Sequence, residues 1–219
     1  MARSPDQYPV AGGPSTAEFR DRGSKFVARL APVRSSEEAL AVVEEQRRVH
    51  PKCNHHCYAY RLGPGTDSWR ANDDGEPSGT AGRPILGQID KWEVSDVVVV
   101  VSRYFGGTKL GTSGLINAYR EAARMALASM PVADRKLTAS IVLEFGYELM
   151  SPVMGALAQL DLDMIDQRFG KDAWVRLEVP RSQLPVTVRA VKAAVSNRYP
   201  GEIDPLFQVA GLSITIDED

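Results

Sequence analysis

The stretch that decides the fold is residues 97–114, which read VVVVVSRYFGGTKLGTSG. Five consecutive β-branched valines predict a strand that is buried on both of its faces. Two glycines then turn the chain, and from Leu115 onward apolar residues recur at helical spacing. The predicted order is a strand, a turn that carries Lys109, and the start of a helix. This order places free backbone N–H groups and a cation at one end of a sheet.

The turn contains Gly106, Gly107 and Lys109, but it does not have the pattern of a nucleoside-triphosphate loop. That loop requires a GxxxxG frame and a Ser or Thr directly after the lysine. Here Leu110 follows the lysine and the frame is missing. Two interpretations stay open, namely an anion-binding nest at the helix start and glycines that let the loop pack tightly on the sheet.

A second unusual stretch is residues 73–84, DDGEPSGTAGRP, whose composition is typical of a shaped loop. Asp73, Asp74 and Glu76 in this loop allow three interpretations. They are oxygen ligands for Mg²⁺, general acid and base groups, or turn-forming side chains that accept hydrogen bonds from nearby N–H groups. Arg83, followed by proline, marks the start of a short helix.

Residues 53–62, CNHHCYAYRL, are rich in aromatic side chains and predict a strand. Cys53, His55 and Cys57 alternate along it. Alternate residues of a strand lie ~6.6 Å apart, so these three side chains cannot converge on one tetrahedral zinc ion. We therefore predict no metal site, and we expect the polar side chain of His56 to meet the acidic loop.

The length and composition are those of an ordinary globular protein of 219 residues. No apolar run reaches the ~18 residues of a membrane span. The first residues do not resemble a secretory signal. Two cysteines are too few for a disulfide framework, so the cytoplasm is the expected compartment.

Charge is divided unevenly along the chain. Residues 1–137 contain 19 Lys and Arg against 16 Asp and Glu, whereas residues 138–219 contain 7 against 12. An anionic partner is therefore expected to bind the first part. A solvated surface explains such a small excess equally well.

The chain is predicted to hold two domains. Residues 1–17 are expected to be a flexible N-terminus and residues 18–133 the first domain, followed by a polar link at 134–136. Residues 138–219 predict strands and helices in the order β-α-β-β-α-β, the ferredoxin-like pattern, with residues 170–172 as a hairpin turn. This second domain has no His or Cys and shows no catalytic set.

Four segments of the sequence resemble the IMPACT/YigZ family, and the similarity extends over roughly residues 18–130. The resemblance implies an α+β protein whose first domain has the β/α fold of ribosomal protein S5 domain 2. It implies a second domain similar to domain V of elongation factor G. Eukaryotic members of the family regulate translation. The four segments are residues 23–26, 56–61, 73–82 and 103–111.

The favoured hypothesis is a non-enzymatic, translation-associated protein that contacts the ribosome, RNA or a translation factor through loops 73–83 and 103–114. Cationic side chains would meet phosphates and aromatic rings would stack on bases. The residues predicted to bind are His56, Tyr60, Asp73, Asp74, Glu76, Arg83, Arg103, Tyr104, Gly106, Gly107 and Lys109.

Three other hypotheses remain. In the first, the protein is an enzyme that acts on a nucleotide or another phosphorylated molecule, with the acidic loop as base or metal ligand and the glycine-rich turn holding phosphate. In the second, the acidic loop binds basic groups of a partner protein. In the third, Asp74, Arg103 and His56 form a buried network that only holds the loops in place. No cofactor and no catalytic residue are predicted, and the oligomeric state is open.

Overall fold

A computed structural model describes residues 4–65, 67–170 and 172–218. Tyr8–Arg135 form one compact unit, called here the N-terminal unit. Residues from Lys136 onward, with the segment that ends at Gln7, form the C-terminal unit. The strands are β1 (Gln7–Ala11), β2 (Ser15–Asp21), β3 (Ser24–Pro32), β4 (His55–Arg61), β5 (Trp69–Asn72), β6 (Val97–Tyr104), β7 (Val132–Lys136), β8 (Thr138–Phe145), β9 (Met164–Phe169), β10 (Ala173–Pro180) and β11 (Leu212–Glu218). The helices are α1 (Ser36–Val49), α2 (Gly82–Lys91), α3 (Gly111–Ala128), α4 (Met150–Gln159) and α5 (Leu184–Val195).

The valine run forms β6, the central strand of a five-stranded sheet in the order β2-β3-β6-β4-β5. Val97, Val99 and Val101 pack into the core that α2 and α3 cover. Val98 and Val100 point to the opposite face, where they pack with side chains of α1. Both faces of the strand are therefore covered, as the run of five β-branched residues predicts.

Each pair of neighbouring strands in this five-stranded sheet is antiparallel. The register of the strands therefore decides which residues lie at the same end of the sheet. Tyr104 pairs with Lys25 at the start of β3. Arg103 pairs with His55 at the start of β4. These residues therefore lie together at one end of the sheet, which we call the Tyr104 end.

Helix α1 brings a further segment to the same end. Ser35 caps its start by accepting a hydrogen bond from the Glu38 N–H at 3.2 Å. Ala39 and Val43 are buried against the sheet. The helix ends at His50, whose ring lies 2.9 Å from the Tyr104 hydroxyl.

The C-terminal unit has the element order β8-α4-β9-β10-α5-β11 and the sheet order β11-β8-β10-β9. Alternate residues of the central strands, such as Ile141 and Leu177, are buried under α4 and α5 on one face of the sheet. This confirms the predicted ferredoxin-like β-α-β-β-α-β order and the α+β class. The predicted turn at residues 170–172 includes Lys171, which lies outside the described residues.

Two segments in which no regular structure was predicted contain strands. Within the segment 1–17, which was expected to be flexible, β1 forms a two-stranded sheet with β7, and β2 starts at Ser15 and pairs with β3. The predicted polar link at 134–136 belongs to β7. Residues 1–3 lie outside the described part of the chain. The Pro and Gly residues near the N-terminus suggested a loop. The strand that pairs with β1 lies far away in sequence, so a local pattern does not reveal the pairing.

No helix in the described part of the chain is long and apolar enough to cross a membrane.

Two glycines of α2 give a test of the packing. A Cβ on Gly82 would lie 2.5 Å from the backbone nitrogen of Asn72, whereas a Cβ on Gly87 meets nothing within 4 Å. We expect Gly82→Ala to lower the free energy of unfolding by about 1–3 kcal/mol through overpacking. Gly87→Ala should raise it by about 0.5–1 kcal/mol, because alanine is the better helix former. Urea unfolding followed by tryptophan fluorescence measures both, and equal effects would contradict the close approach of α2 to β5.

Candidate functional site

Two loops meet at the Tyr104 end of the sheet. The acidic loop is residues 73–82, and the glycine-rich loop is residues 105–110. The Arg103 side chain, at the end of β6, donates a 2.6 Å hydrogen bond to the carboxylate of Glu76 in the acidic loop. The structure thus places the acidic loop against the end of β6, the strand that leads into the glycine-rich loop.

Asp73 holds the acidic loop against the start of α2. Its carboxylate accepts hydrogen bonds from the N–H groups of Gly79, Ala81 and Gly82 at 2.8–2.9 Å. Helix α2 has no capping side chain at its own N-cap, so Asp73 satisfies these N–H groups from a position earlier in the chain. Burial opposes ionisation of Asp73, but the three donors outweigh it and lower its pKa below the usual value.

Asp74 ties the loop to α1 and β4. Its side chain accepts a 2.7 Å hydrogen bond from the Arg47 guanidinium and a 2.6 Å bond from the backbone N–H of His56. Its carbonyl oxygen lies 2.8 Å from Nδ1 of His55. Burial again opposes ionisation, but Arg47 and the N–H donor lower the pKa of Asp74.

Glu76 and Arg103 form a buried ion pair with side-chain exposures of 4% and 7%. The same Glu76 oxygen accepts a 2.8 Å bond from the Tyr119 hydroxyl of α3. Burial, followed by the neighbouring Cys57, raises the pKa of Tyr119, so this hydroxyl stays a neutral donor. The Arg103 guanidinium lies 5.5 Å from the ring centroids of both Phe26 and Phe105. Arg103 is therefore enclosed and does not project into solvent.

Two further predicted binding residues lie inside the unit. His56 is 2% exposed and its Nδ1 lies 2.8 Å from the Ser102 hydroxyl. Burial, followed by the charge of Arg47, lowers the pKa of His56, so the ring is neutral. Tyr60 is buried on the α1 side of the sheet, where its ring stacks on that of Tyr58. Neither side chain is placed to meet a partner.

The glycine-rich loop is held by a close backbone approach to the turn between β2 and β3. A Cβ on Gly106 would lie 1.9 Å from the carbonyl carbon of Gly23, so this position requires glycine. The Gly106 N–H also lies 3.2 Å from the Ser24 hydroxyl. The tight-packing interpretation thus accounts for Gly106, while Gly107 takes a positive φ of 87° that glycine adopts readily.

Among the predicted side chains, Arg83 and Lys109 are exposed, and Tyr104, Asp73 and Asp74 are partly exposed. Arg83 lies apart from the glycine-rich loop in sequence, and its guanidinium stacks 4.5 Å from the Trp69 ring centroid. Tyr104 lies under the ammonium group of Lys25, which is 4.9 Å from its ring centroid.

Sequence reasoning missed Lys25 and His50 as neighbours of this site, whereas Phe105 was expected to offer a stacking face. Phe105 is 57% exposed although it is a large apolar residue. Lys25 lies in the GSKF segment that carries the family resemblance, and this was the available signal. His50 gave no sequence signal. We define the sheet-end surface as Lys25, His50, Tyr104, Phe105 and Lys109.

The carboxylates and thiols near the two loops are paired or buried within the unit. The three carboxylates of the acidic loop are each occupied by internal donors. Burial raises the pKa of the Cys57 thiol well above its usual value, and burial also raises that of Cys53, so neither is poised as a thiolate. Across the described residues, no group of three or more His, Cys, Asp or Glu side chains is arranged to hold a metal ion.

The fold and site define a two-unit α+β protein whose N-terminal unit carries two internally braced loops. Residues 22–127 match the family model described as the Impact N-terminal domain. The Escherichia coli protein named IMPACT family member YigZ is 32% identical over 181 residues, which cover 82% of this chain and 89% of that protein. The chain belongs to the IMPACT family.

Two further comparisons agree with that assignment. The rat protein named Protein IMPACT is 37% identical over 109 residues, covering 47% of this chain and 32% of the rat protein. A crystal structure described as that of a hypothetical protein matches with a TM-score of 0.67 and 28% identity. That match covers 95% of this chain and 96% of the other.

We expect Asp73→Asn to lower the free energy of unfolding at pH 7 by about 1–3 kcal/mol, because an amide cannot accept all three N–H bonds. The folded-state pKa of Asp73 is lowered, so the carboxylate contributes fully above the unfolded pKa of about 4. That contribution is lost as the pH falls through the folded pKa. The difference between wild type and variant should therefore shrink as the pH is lowered below about 4.

Urea unfolding at a series of pH values measures this difference. A Trp174→Phe background restricts the fluorescence signal to Trp69 and Trp92 of the N-terminal unit. Glu45→Gln, on the exposed side of α1, is the control and should leave stability unchanged. A difference that stays constant down to pH 2 would contradict the capping role of Asp73.

The buried ion pair predicts strong coupling. Arg103→Met alone leaves the Glu76 charge buried without its cation and should cost about 3–5 kcal/mol. Adding Glu76→Leu removes that stranded charge, so the double variant should be more stable than Arg103→Met alone. The same unfolding assay in a double-mutant cycle tests this, and additive effects of the two substitutions would show that the pair is not formed.

Proposed function

We propose that this protein is a non-enzymatic, translation-associated protein whose N-terminal unit contacts RNA of the ribosome through the sheet-end surface. The observation that carries the proposal is the placement of partly exposed Tyr104 under Lys25 at one end of the sheet, followed directly by a loop in which Phe105 and Lys109 are exposed. The resemblance to eukaryotic IMPACT proteins, which regulate translation, supports the same process for this chain. Translation also supports a cytoplasmic location.

Charge supports an anionic partner. The acidic side chains near the two loops are paired internally, since Asp74 binds Arg47 and Glu76 binds Arg103. The exposed side chain of Lys109 thus remains available to phosphates. The ammonium group of Lys25 lies 3.5 Å from the carboxylate of Glu18, an exposed ion pair in which a phosphate would compete with Glu18. Lysine ammonium groups that neutralise phosphates make RNA binding weaken as salt is raised.

The rings support single-stranded or looped RNA over a double helix. Unstacked bases bind proteins largely by stacking on aromatic side chains, and cations beside those rings hold the backbone. Phe105 presents most of its surface to solvent at the tip of the glycine-rich loop. Tyr104 is held in place by its hydrogen bond to His50, which fixes the ring before a partner arrives.

The two alternatives that use the acidic loop receive less support. A nucleotide- or phosphate-binding enzyme needs a carboxylate free to take a proton or a metal ion, and a partner-protein module needs carboxylates free to meet basic groups. Asp73, Asp74 and Glu76 instead accept hydrogen bonds from within the unit.

We expect Lys109→Ala to weaken binding of a labelled single-stranded RNA and to reduce the slope of log affinity against log salt by about one. Phe105→Ala should weaken it by about 1–3 kcal/mol, the typical value of one base stacked on a ring. Fluorescence anisotropy across a salt series measures both, and sedimentation with purified ribosomes tests the larger partner.

Matched controls lie at the opposite end of the same sheet. Lys91 is the last residue of α2 and Trp92 follows it; both are exposed and lie near the Arg61 end of β4. Lys91→Ala and Trp92→Ala should bind RNA as the wild type does. The proposal fails if the Lys109 and Phe105 variants also bind as the wild type, or if affinity does not depend on salt.

A further inference from the structure

The C-terminal unit exposes an edge strand with an unusual sequence. Strand β9 lies at the end of its sheet and, among the described residues, pairs with β10. All six of its residues, MIDQRF, are exposed, and Ile165 and Phe169 expose 52% and 47% of their surface. Edge strands are usually protected by Lys or Pro, and β9 contains neither.

The register with β10 assigns each β9 side chain to a face of the sheet. Phe169 and Gln167 lie opposite Ala173 and Val175, which are buried under the helices. Arg168 and Asp166 lie opposite Trp174 and Arg176, whose side chains alternate to the open face.

A bulge in β9 decides the position of Ile165. The register shifts between Arg176 and Leu177, so that Asp166 pairs with Arg176 and Met164 pairs with Leu177. Ile165 is thus the extra residue of the strand and lies with Met164 opposite buried Leu177. Ile165 therefore shares the helix-side face with Gln167 and Phe169.

Strand β9 is self-complementary when it pairs antiparallel with β9 of a second copy and Gln167 lies on the twofold axis. Ile165 then faces Phe169 of a second copy on the helix side. Asp166 faces Arg168 of a second copy on the open side, and the twofold axis makes each of these contacts occur twice. Pairs of opposite charge, and of an aromatic with a β-branched residue, are the cross-strand pairs that stabilise antiparallel sheets.

The other edge of the sheet lacks this property. Strand β11 reads LSITIDE. Paired with itself about Thr215, it would place Ser213 opposite Asp217 and offers no pair of opposite charge. Its acidic end also carries the repulsive charge that discourages edge pairing.

We propose that β9 pairs antiparallel with β9 of a second copy of this chain, joining two four-stranded sheets into one continuous sheet. We expect the partner of β9 to be a second copy of the chain, because Asp166 and Arg168 flank Gln167 symmetrically. In an antiparallel pair of two β9 strands, each of these charges therefore faces its opposite. This interface is independent of the RNA surface proposed above, since it lies in the other unit.

Charge reversal tests the pairing in the full-length chain. Wild type should sediment as a dimer in the micromolar range. Arg168→Asp places Asp opposite Asp166, and Asp166→Arg places Arg opposite Arg168, so each variant alone should sediment as a monomer. A mixture of the two variants restores opposite charges at both contacts and should form a heterodimer. Circular dichroism checks that each variant is folded.

A disulfide tests the register. Residues directly opposite in an antiparallel pair have Cα atoms about 4.5–5.5 Å apart, within disulfide range. Gln167→Cys, on the twofold axis, should therefore crosslink rapidly under mild oxidation on a non-reducing gel. Ser213→Cys, exposed on β11, is the control and should stay monomeric on that gel; the native Cys53 and Cys57 are buried. A monomeric wild type, a mixture that fails to dimerise, or equal crosslinking at both positions would overturn the proposal.

Discussion

The buried ion pair between Arg103 and Glu76 is the interaction on which the N-terminal unit depends. Burying a charge away from water costs free energy unless an opposite charge is in place beside it. The segments that carry Arg103 and Glu76 are therefore restricted to positions that keep the two side chains together. Arg103 comes from β6 and Glu76 from the acidic loop, while Tyr119 adds a hydrogen bond from α3. Three segments distant in sequence are thereby held at one end of the sheet.

The carboxylates of the acidic loop form hydrogen bonds with groups inside the N-terminal unit. Asp73 is used by the N–H groups at the start of α2, and Asp74 by Arg47 and the start of β4. These carboxylates are therefore satisfied inside the unit. The acidic loop of the sequence thus does not by itself argue against the RNA contact that we propose for Lys109, Phe105 and Tyr104.

Local patterns predicted most of the elements but not the roles of their polar residues. The buried strand of valines, β6, was found because its pattern depends only on neighbours a few residues away. The pairing of β1 with β7 was missed, because that partner is more than a hundred residues distant. Arg103 was predicted to meet phosphate, but a sequence cannot tell an exposed arginine from one that pairs with a buried glutamate.

The sequence alone determined the buried central strand β6, the ferredoxin-like order of the C-terminal unit and the two loops of unusual composition. Those features follow from hydrophobic period, turn residues and strand order, which are written along the chain. Only the tertiary structure decided that His56, Tyr60 and Arg103 are enclosed while Phe105 and Lys109 face solvent. Burial and pairing depend on which distant groups share the same space, and a linear pattern does not contain that information.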